Sequence, residues 1–245
     1  MEAAAGALLL AWMVQAAATL LCGWTLRLLD RPQPWPREAP PVLAPVRGPL
    51  PGLDRFLAAL AAQDYPAWRV ALVVEAEADP AFPALARFAA AHPDRAAVVV
   101  AGPATRRRQK VQNLLAGLGH LRAGDAALVM LDADTAPPPD LLRRLLRPVL
   151  TGQGDIASGY RWTLPADGAA GSALVALADM AVATLPRCAR CNLCWGGATA
   201  IGRAALGRLD LPRVWDAALS DDLERFPISL RRTRPRRSSW RTRLA

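Results

Sequence analysis

The sequence contains little cysteine and lacks two common nucleotide-binding motifs. Its four Cys among 245 residues are too few for the dense disulfide framework of a small secreted domain. Cys188, Cys191 and Cys194 lie close together, but a closed zinc site needs four ligands. We therefore interpret them as thiols of a loop, with a zinc or iron–sulfur site as the alternative. No Gly-x-Gly-x-x-Gly follows the first predicted strand and no Walker lysine motif occurs, which argues against a dinucleotide site or a P-loop.

Acidic residues are missing from the last segment of the chain, residues 226–245. This segment holds seven Arg, whereas the net charge of the whole chain is +9. The basic character therefore belongs mainly to the tail, and we predict no nucleic-acid partner. Arg-, Ser- and Pro-rich sequence of this kind is also what out-of-frame reading of a GC-rich gene produces. Two hypotheses follow: a disordered or frameshifted tail, and a genuine basic tail that binds anionic lipid headgroups.

Charged residues are also missing from residues 3–26. About 20 apolar residues suffice to span a bilayer as a helix, and the mean hydropathy of the chain, +0.15, is high for a soluble protein. The chain starts without the basic segment of a cleaved signal peptide, and arginines follow the apolar stretch from Arg27 onwards. We predict a transmembrane helix over residues 1–29 in the cell (inner) membrane, with the remainder in the cytoplasm. The Pro-rich residues 30–40 then form a linker.

Strand-like and helix-like segments alternate between residues 41 and 225. Short apolar segments predict strands at 41–48, 69–74, 96–100, 127–131 and 155–162. Helical spacing of apolar residues predicts helices at 53–63, 80–91, 106–121, 140–150 and 169–185. This alternation predicts an α/β fold in which helices flank a mostly parallel sheet, within one domain over residues 41–225.

Acidic side chains directly follow two of the predicted strands. Asp132 and Asp134 come after the central apolar strand, and Glu75, Glu77 and Asp79 come after an earlier one. Ligands of open α/β sheets bind beyond the carboxyl ends of the strands, so these residues would border one acidic crevice. Two carboxylates there suit Mg²⁺ or Mn²⁺ bound to substrate phosphates. The alternative is that Asp-x-Asp only opens a turn, since Asp is favoured in turns.

Several short motifs follow one another along the predicted domain. They are Pro45-Val46-Arg47-Gly48, Gln63-Asp64-Tyr65-Pro66, Val73-Val74-Glu75, Asp79-Pro80, Lys110-Val111-Gln112-Asn113-Leu114, Leu131-Asp132-Ala133-Asp134, Trp195-Gly196-Gly197-Ala198 and Ser220-Asp221-Asp222. In this order they resemble the motifs of family 2 glycosyltransferases with the GT-A fold. More closely, the set is similar to ceramide glucosyltransferases and their hopanoid-associated bacterial relatives.

The resemblance implies an inverting enzyme that moves a sugar from a nucleotide-sugar donor, a UDP-sugar by the habit of the family, to a membrane lipid acceptor. It implies that Asp132 and Asp134 hold Mg²⁺ or Mn²⁺ on the donor diphosphate. It also implies that Asp222 is the catalytic general base, with Asp221 beside it. The residues that it places around the donor and acceptor are Glu75, Glu77, Asp79, Lys110, Asn113, Asp132, Gly196 and Gly197.

One element of the family pattern is missing. After the catalytic Asp the family continues with a strand, a Gln-x-x-Arg-Trp motif and further transmembrane helices, whereas this chain has Trp240-Arg241 without the Gln. The missing motif supports an alternative in which the chain is a non-catalytic, truncated GT-A membrane protein. A polysaccharide synthase-like glycosyltransferase is the other alternative, and it would need several transmembrane helices to form an acceptor channel.

Overall fold

The structure is a computed structural model that describes residues 6, 9–10, 12–17, 19–20, 41–161, 169–184, 197–216, 218 and 242–244. The described strands are β1 (Pro41–Pro45), β2 (Arg69–Val74), β3 (Ala96–Val100), β4 (Ala127–Leu131), β5 (Ile156–Arg161), β6 (Ala198–Gly202) and β7 (Thr242–Leu244). The helices from residue 41 onwards are α1 (Leu53–Ala61), α2 (Phe82–Ala91), α3 (Gln109–Leu118), α4 (Leu141–Leu150), α5 (Ala170–Thr184), α6 (Arg203–Leu209) and α7 (Leu211–Val214).

The strands form one sheet in the order β3-β2-β1-β4-β6-β5-β7. The first four in this order are parallel to one another, and β6 is antiparallel to both of its neighbours. Every residue of β4 is buried, as are all but the first residue of β2, which explains their continuous apolar sequences. The carboxyl ends of β1, β2 and β4 therefore meet at one edge of the sheet.

Helices cover both faces of the sheet. Phe56 of α1, Leu85 of α2 and Leu145 of α4 pack on one face, in a core that also contains Leu72 of β2. The alternate residues of the strands point to the other face, where Leu114 of α3 belongs to a second core. This three-layer arrangement buries the sheet on both sides and leaves its strand ends for a site.

The predicted strands and helices of residues 41–161 are confirmed, with ends that move by a few residues. The strands predicted at 69–74, 96–100 and 127–131 coincide with β2, β3 and β4. The helix predicted at 106–121 is shorter, because its amino terminus starts only at Gln109 after an extended Arg108. Strand β6 was not predicted, since Ala-Thr-Ala-Ile-Gly is short and rich in small residues, and its pairing with β4 and β5 gives it strand geometry.

The two ends of the chain are described only in part. The described residues between 6 and 20 are helical. Within the described portion of the chain, no helix is both long and apolar enough to cross a bilayer. In the tail, Thr242–Leu244 form β7, which pairs in parallel with β5. Most of the predicted anchor and tail, and the three clustered Cys, lie outside the described residues.

Candidate functional site

A cavity of about 720 Å³ lies at the carboxyl ends of β1, β2 and β4. This volume is within the range of small-molecule sites. Its lining combines apolar residues, such as Val46 and Leu50, with charged side chains from the strand exits and from the loop and first turn of α3. The charged lining residues are Arg47, Glu75, Arg107, Arg108, Lys110, Asp132 and Asp134. The predicted crevice at the strand exits is therefore present, and it is of mixed charge rather than purely acidic.

Strand β4 delivers Asp132 and Asp134 to this cavity. The backbone N–H of Asp132 donates to the carbonyl of Gly197 over 2.9 Å, so the strand exit is tied to the segment that leads into β6. The hydroxyl of Thr135 donates to the carbonyl of Asp132 over 2.8 Å, which closes a tight turn around Asp134. Asp134 lies exposed at this turn. The turn interpretation and the site interpretation of Asp-x-Asp are thus compatible.

A cation already lies beside Asp132. The ammonium Nζ of Lys110 is 2.9 Å from Oδ1 of Asp132, and both side chains are about one-third exposed or less. Lys110 is in the first turn of α3, so the helix start supplies a positive charge to the exit of β4. The pair shows that the carboxylate of Asp132 is positioned to hold a cation within the cavity.

The donor set at Asp132 and Asp134 fits a divalent ion that keeps part of its coordination for a ligand. Carboxylate oxygens are hard donors of the kind that Mg²⁺ and Mn²⁺ prefer. Among the residues that the structure describes, no group of three or more His, Cys, Asp or Glu could hold a metal ion. A site with two carboxylates leaves coordination positions to water and to phosphate oxygens.

Asn113 lines the cavity, but its side chain is engaged by the protein itself. It is buried, and its Nδ2 donates to the carbonyls of Val46 and Val73 over 3.2 and 3.1 Å. Its Oδ1 accepts a hydrogen bond of 2.8 Å from Gln109. The amide therefore ties α3 to the ends of β1 and β2. The predicted contact of Asn113 with a nucleotide stays a prediction.

Asp79 also binds backbone groups of the protein. Its two carboxylate oxygens accept from the backbone N–H of Gly48 over 3.0 and 2.9 Å, and one of them accepts from Ala81 over 2.8 Å. Gly48 has a φ of 65°, a left-handed conformation that favours glycine. Asp79 thus holds the loop after β1 against the start of α2, so it shapes the cavity rim without belonging to its lining.

The other two acidic residues after β2 differ in their positions. Glu75 lines the cavity, and its carboxylate is 3.8 Å from the guanidinium of Arg47 on the opposite loop. Glu77 is exposed and is not part of the lining. Of these two, Glu75 is the one that the structure brings together with Asp132 and Asp134.

Gln109 and the arginines before it were not predicted as site residues. Gln109 accepts from the backbone N–H of Ala104 and donates to the carbonyl of Gly102, each over 2.8 Å, so it fixes the loop after β3. Arg106 and Arg107 both bind the carboxylate of Asp216 over 2.9 Å. The sequence signal was the basic cluster that begins at Arg106, which was predicted as the start of the helix 106–121 and instead belongs to the loop before α3.

The remaining predicted site residues are only partly described. Gly197 lies beside the cavity through its carbonyl, which accepts from Asp132. Gly196, Asp221 and Asp222 lie outside the described residues. The described residue nearest to Asp221 in the sequence is Ala218, whose carbonyl accepts from the backbone N–H of Arg108 over 3.4 Å. Ala218 therefore contacts the loop that lines the cavity.

Two solved glycosyltransferase structures are similar to this chain. A mannosyltransferase from Pyrobaculum calidifontis, in complex with GDP-Man and Mn²⁺, matches with a TM-score of 0.51 and 22% identity over 80% of this chain and 55% of that chain. Glucosyl-3-phosphoglycerate synthase from Mycobacterium tuberculosis, in complex with Mn²⁺, uridine-diphosphate-glucose and phosphoglyceric acid, matches with a TM-score of 0.45 and 16% identity over 78% of this chain and 74% of that chain. The chain thus spans about half the length of the mannosyltransferase. A search of curated proteins found no match.

The sequence also matches a family model over most of its length. The model is described as glycosyl transferase family 21, and the match covers residues 7–210. The motif resemblance is thereby confirmed at the level of a glycosyltransferase with a GT-A fold, although the family number differs from the one that the motifs suggested. The ceramide- and hopanoid-associated branch stays a prediction. On this match, the chain belongs to glycosyl transferase family 21.

Proposed function

We propose that this chain transfers a sugar from a nucleotide-sugar donor and that it uses a divalent cation at Asp132 and Asp134. The observation that carries the proposal is the cavity at the exit of β4, where these two carboxylates and Lys110 lie together. Membership of the family supports the reaction class. A donor diphosphate matches the mixed charge of the lining, because phosphate oxygens can bind both a carboxylate-held cation and the basic side chains.

The charged residues of the cavity are assigned to different parts of the donor in this proposal: the basic side chains to its diphosphate and Glu75 to its ribose. A bound Mg²⁺ or Mn²⁺ would neutralise the charge that develops on the departing diphosphate. Lys110 lies at the start of α3 next to Asp132, so its ammonium can bind a phosphate oxygen when a divalent ion takes its place. Arg107 and Arg108 line the same cavity and add positive charge. Glu75 carries negative charge on the β2 side of the cavity and suits hydroxyl groups of a ribose.

The acceptor hydroxyl needs a base to take its proton. We assign this role to Asp222, with Asp221 beside it, and the transfer is then inverting. Support comes from two residues shortly before Asp221 in the sequence: Asp216 binds Arg106 and Arg107, and Ala218 binds Arg108. Both residues thus contact the loop that lines the cavity.

The donor is a UDP-sugar and the acceptor is a lipid in this proposal. The apolar, uncharged residues 3–26 support a membrane location, with the domain on the cytoplasmic side of the cell (inner) membrane. An enzyme held at a membrane meets a lipid acceptor directly. The nucleotide sugar in the similar mannosyltransferase structure, GDP-Man, makes the base of the nucleotide the first point to test.

Calorimetric titration of the full chain in detergent tests the proposal. UDP and GDP are each added with and without Mn²⁺, to the unchanged protein and to Asp132→Asn/Asp134→Asn. We expect UDP binding that depends on Mn²⁺ and disappears in the double variant. The control is Asp125→Asn, which alters a buried carboxylate just before the start of β4, away from the cavity. Absence of binding by the wild-type chain under all conditions would overturn the proposal. Binding without transfer of sugar from a UDP-sugar to membrane lipid, assayed separately, would support the non-catalytic alternative.

A further inference from the structure

The segment that runs from Asp132 to the start of α4 is held at both of its ends. At its start, Thr135 donates to the carbonyl of Asp132, and Asp132 donates to Gly197. At its end, the segment enters α4 at Leu141. Asp134 lies exposed near the start of this segment, and the run Pro137-Pro138-Pro139 lies near its end. The position of the segment therefore depends on what holds its far end.

Gln63 is the side chain that holds this far end. It is 6% exposed, and its Nε2 donates to the carbonyl of Pro138 over 2.7 Å and to that of Ala59 over 3.2 Å. Its Oε1 accepts from the backbone N–H of Leu142 over 3.1 Å. One buried amide thus joins the end of α1 to the proline run and to the first turn of α4.

Gln63 also supplies a helix cap that α4 does not provide for itself. The first backbone N–H groups of a helix have no partner within the helix. Asp140 is at the N-cap position of α4 but makes no side-chain capping hydrogen bond. The acceptor for Leu142 comes instead from Gln63, which is distant in the sequence. The start of α4 is thereby fixed to α1 and not only to its own loop.

Asp64 also joins the end of α1 to the proline run and to α4. Its N–H donates to the carbonyl of Pro139 over 2.7 Å. The guanidinium of Arg143 in α4 binds both the carbonyl and the carboxylate of Asp64. The pair Gln63-Asp64 therefore fixes the segment from two sides, and Gln63 is the buried member of the pair.

We propose that Gln63 is a positioning residue of the cation site. By fixing Pro138 and the start of α4, it sets the path of the segment that carries Asp134, and so the separation of the two carboxylates. The inference rests on the proposed function, since it concerns the site assigned to the divalent ion. Groups that hydrogen-bond directly to metal ligands typically change metal affinity by about 10- to 100-fold when they are removed, and Gln63 acts one step further out, through the carbonyl of Pro138. We expect a loss of about 10-fold for Gln63.

The test measures Mn²⁺ affinity of the full chain by electron paramagnetic resonance of free Mn²⁺, with UDP present at saturation. Gln63→Met keeps the length of the side chain and removes all three hydrogen bonds. Gln63→Glu keeps an acceptor for Leu142 but removes the donor to Pro138. Both variants are expected to bind Mn²⁺ about 10-fold more weakly. Thermal unfolding of each protein is recorded alongside, so that affinity is compared only where the protein is folded.

The matched control is Asp125→Asn. Asp125 lies just before the start of β4 and is buried to a degree similar to Gln63. It accepts from the backbone N–H of Arg122 over 2.6 Å and binds the guanidinium of Arg69. Its substitution is expected to lower the melting temperature without changing Mn²⁺ affinity. Three outcomes would overturn the inference: a folded Gln63 variant with the Mn²⁺ affinity of wild type, an equal loss of Mn²⁺ affinity in Asp125→Asn, or failure of both Gln63 variants to fold. If the wild-type chain binds no Mn²⁺, the proposed function is overturned and the inference with it.

Discussion

The ammonium of Lys110 lies 2.9 Å from a carboxylate oxygen of Asp132. The two residues come from different elements, the first turn of α3 and the exit of β4. Both residues line the cavity, at the place where the donor diphosphate is proposed to bind. A divalent ion at Asp132 and the ammonium of Lys110 compete for the same oxygen, because each is attracted by its negative charge.

Lys110→Met is expected to raise the affinity for Mn²⁺ and to lower the affinity for UDP. Without nucleotide, Mn²⁺ should bind about 1.4- to fivefold more tightly, because a partly exposed ion pair that competes with it contributes about 0.2–1 kcal/mol. With Mn²⁺ present, UDP should bind more weakly, because a phosphate loses its ammonium partner. Calorimetry of each titration measures both effects. Lys110→Arg, which keeps the charge, should leave the affinity for Mn²⁺ alone nearly unchanged; weaker Mn²⁺ binding in Lys110→Met would contradict the competition.

Asn113→Leu is expected to lower stability before it affects any ligand directly. The substitution removes the donors to the carbonyls of Val46 and Val73. The carbonyl of Val73 keeps the backbone N–H of Val46 over 2.8 Å, so the loss falls mainly on the carbonyl of Val46. An unsatisfied buried polar group costs about 1–3 kcal/mol, so the free energy of unfolding should fall by about that amount. Denaturant unfolding measures the change. Unchanged stability together with lost UDP binding would instead indicate a direct contact with the nucleotide.

The positions of the acidic residues could be predicted from the sequence, but their partners could not. Asp132 and Asp134 follow an uninterrupted apolar strand, and that local pattern places them at a strand exit. Asp79 looks the same in the sequence, yet its carboxylate binds the backbone of Gly48, 31 residues away. Such a contact depends on which strands become neighbours, and no local pattern contains that information.

The same distinction applies to strands and to buried polar residues. β2 has an apolar sequence that predicts a strand by itself, whereas β6 is a strand because it pairs with β4 and β5. Gln63 stands in the sequence as a polar residue at the end of a helix. Its burial and its bonds to Pro138 and Leu142 appear only when α4 packs beside α1. Long-range packing thus decides most of the supporting contacts of the site.

Asp216→Ala is expected to loosen the cavity loop. The substitution releases Arg106, whose exposed ion pair contributes about 0.2–1 kcal/mol, and Arg107, whose side chain is 17% exposed and loses its carboxylate partner. Amide hydrogen exchange in residues 104–108 should become faster, because this loop loses its side-chain connection to the segment before Ala218. Asp155→Ala is the control, since it removes an exposed ion pair with Arg208 elsewhere. Equal exchange of residues 104–108 in the two variants would contradict the prediction.

Gly117→Val is expected to move α3 away from the sheet and so to weaken donor binding. Gly117 is buried in α3, and a Cβ added there would lie 3.0 Å from one methyl of Leu43 and 3.2 Å from a methyl of Val73. Overpacking of this kind typically costs about 1–3 kcal/mol of unfolding free energy. Lys110 and Asn113 are on the same helix, so a shift of α3 changes their distances to Asp132 and to the ends of β1 and β2. The Mn²⁺-dependent affinity for UDP, measured by calorimetry on folded protein, should therefore fall.

Gly119→Ala is the matched control, because that position follows α3, has helical φ and ψ and meets only Ala116 at 3.4 Å. A full loss of UDP affinity in Gly119→Ala, or none in a destabilised Gly117→Val, would show that the packing of α3 against the sheet does not set the geometry of the donor site.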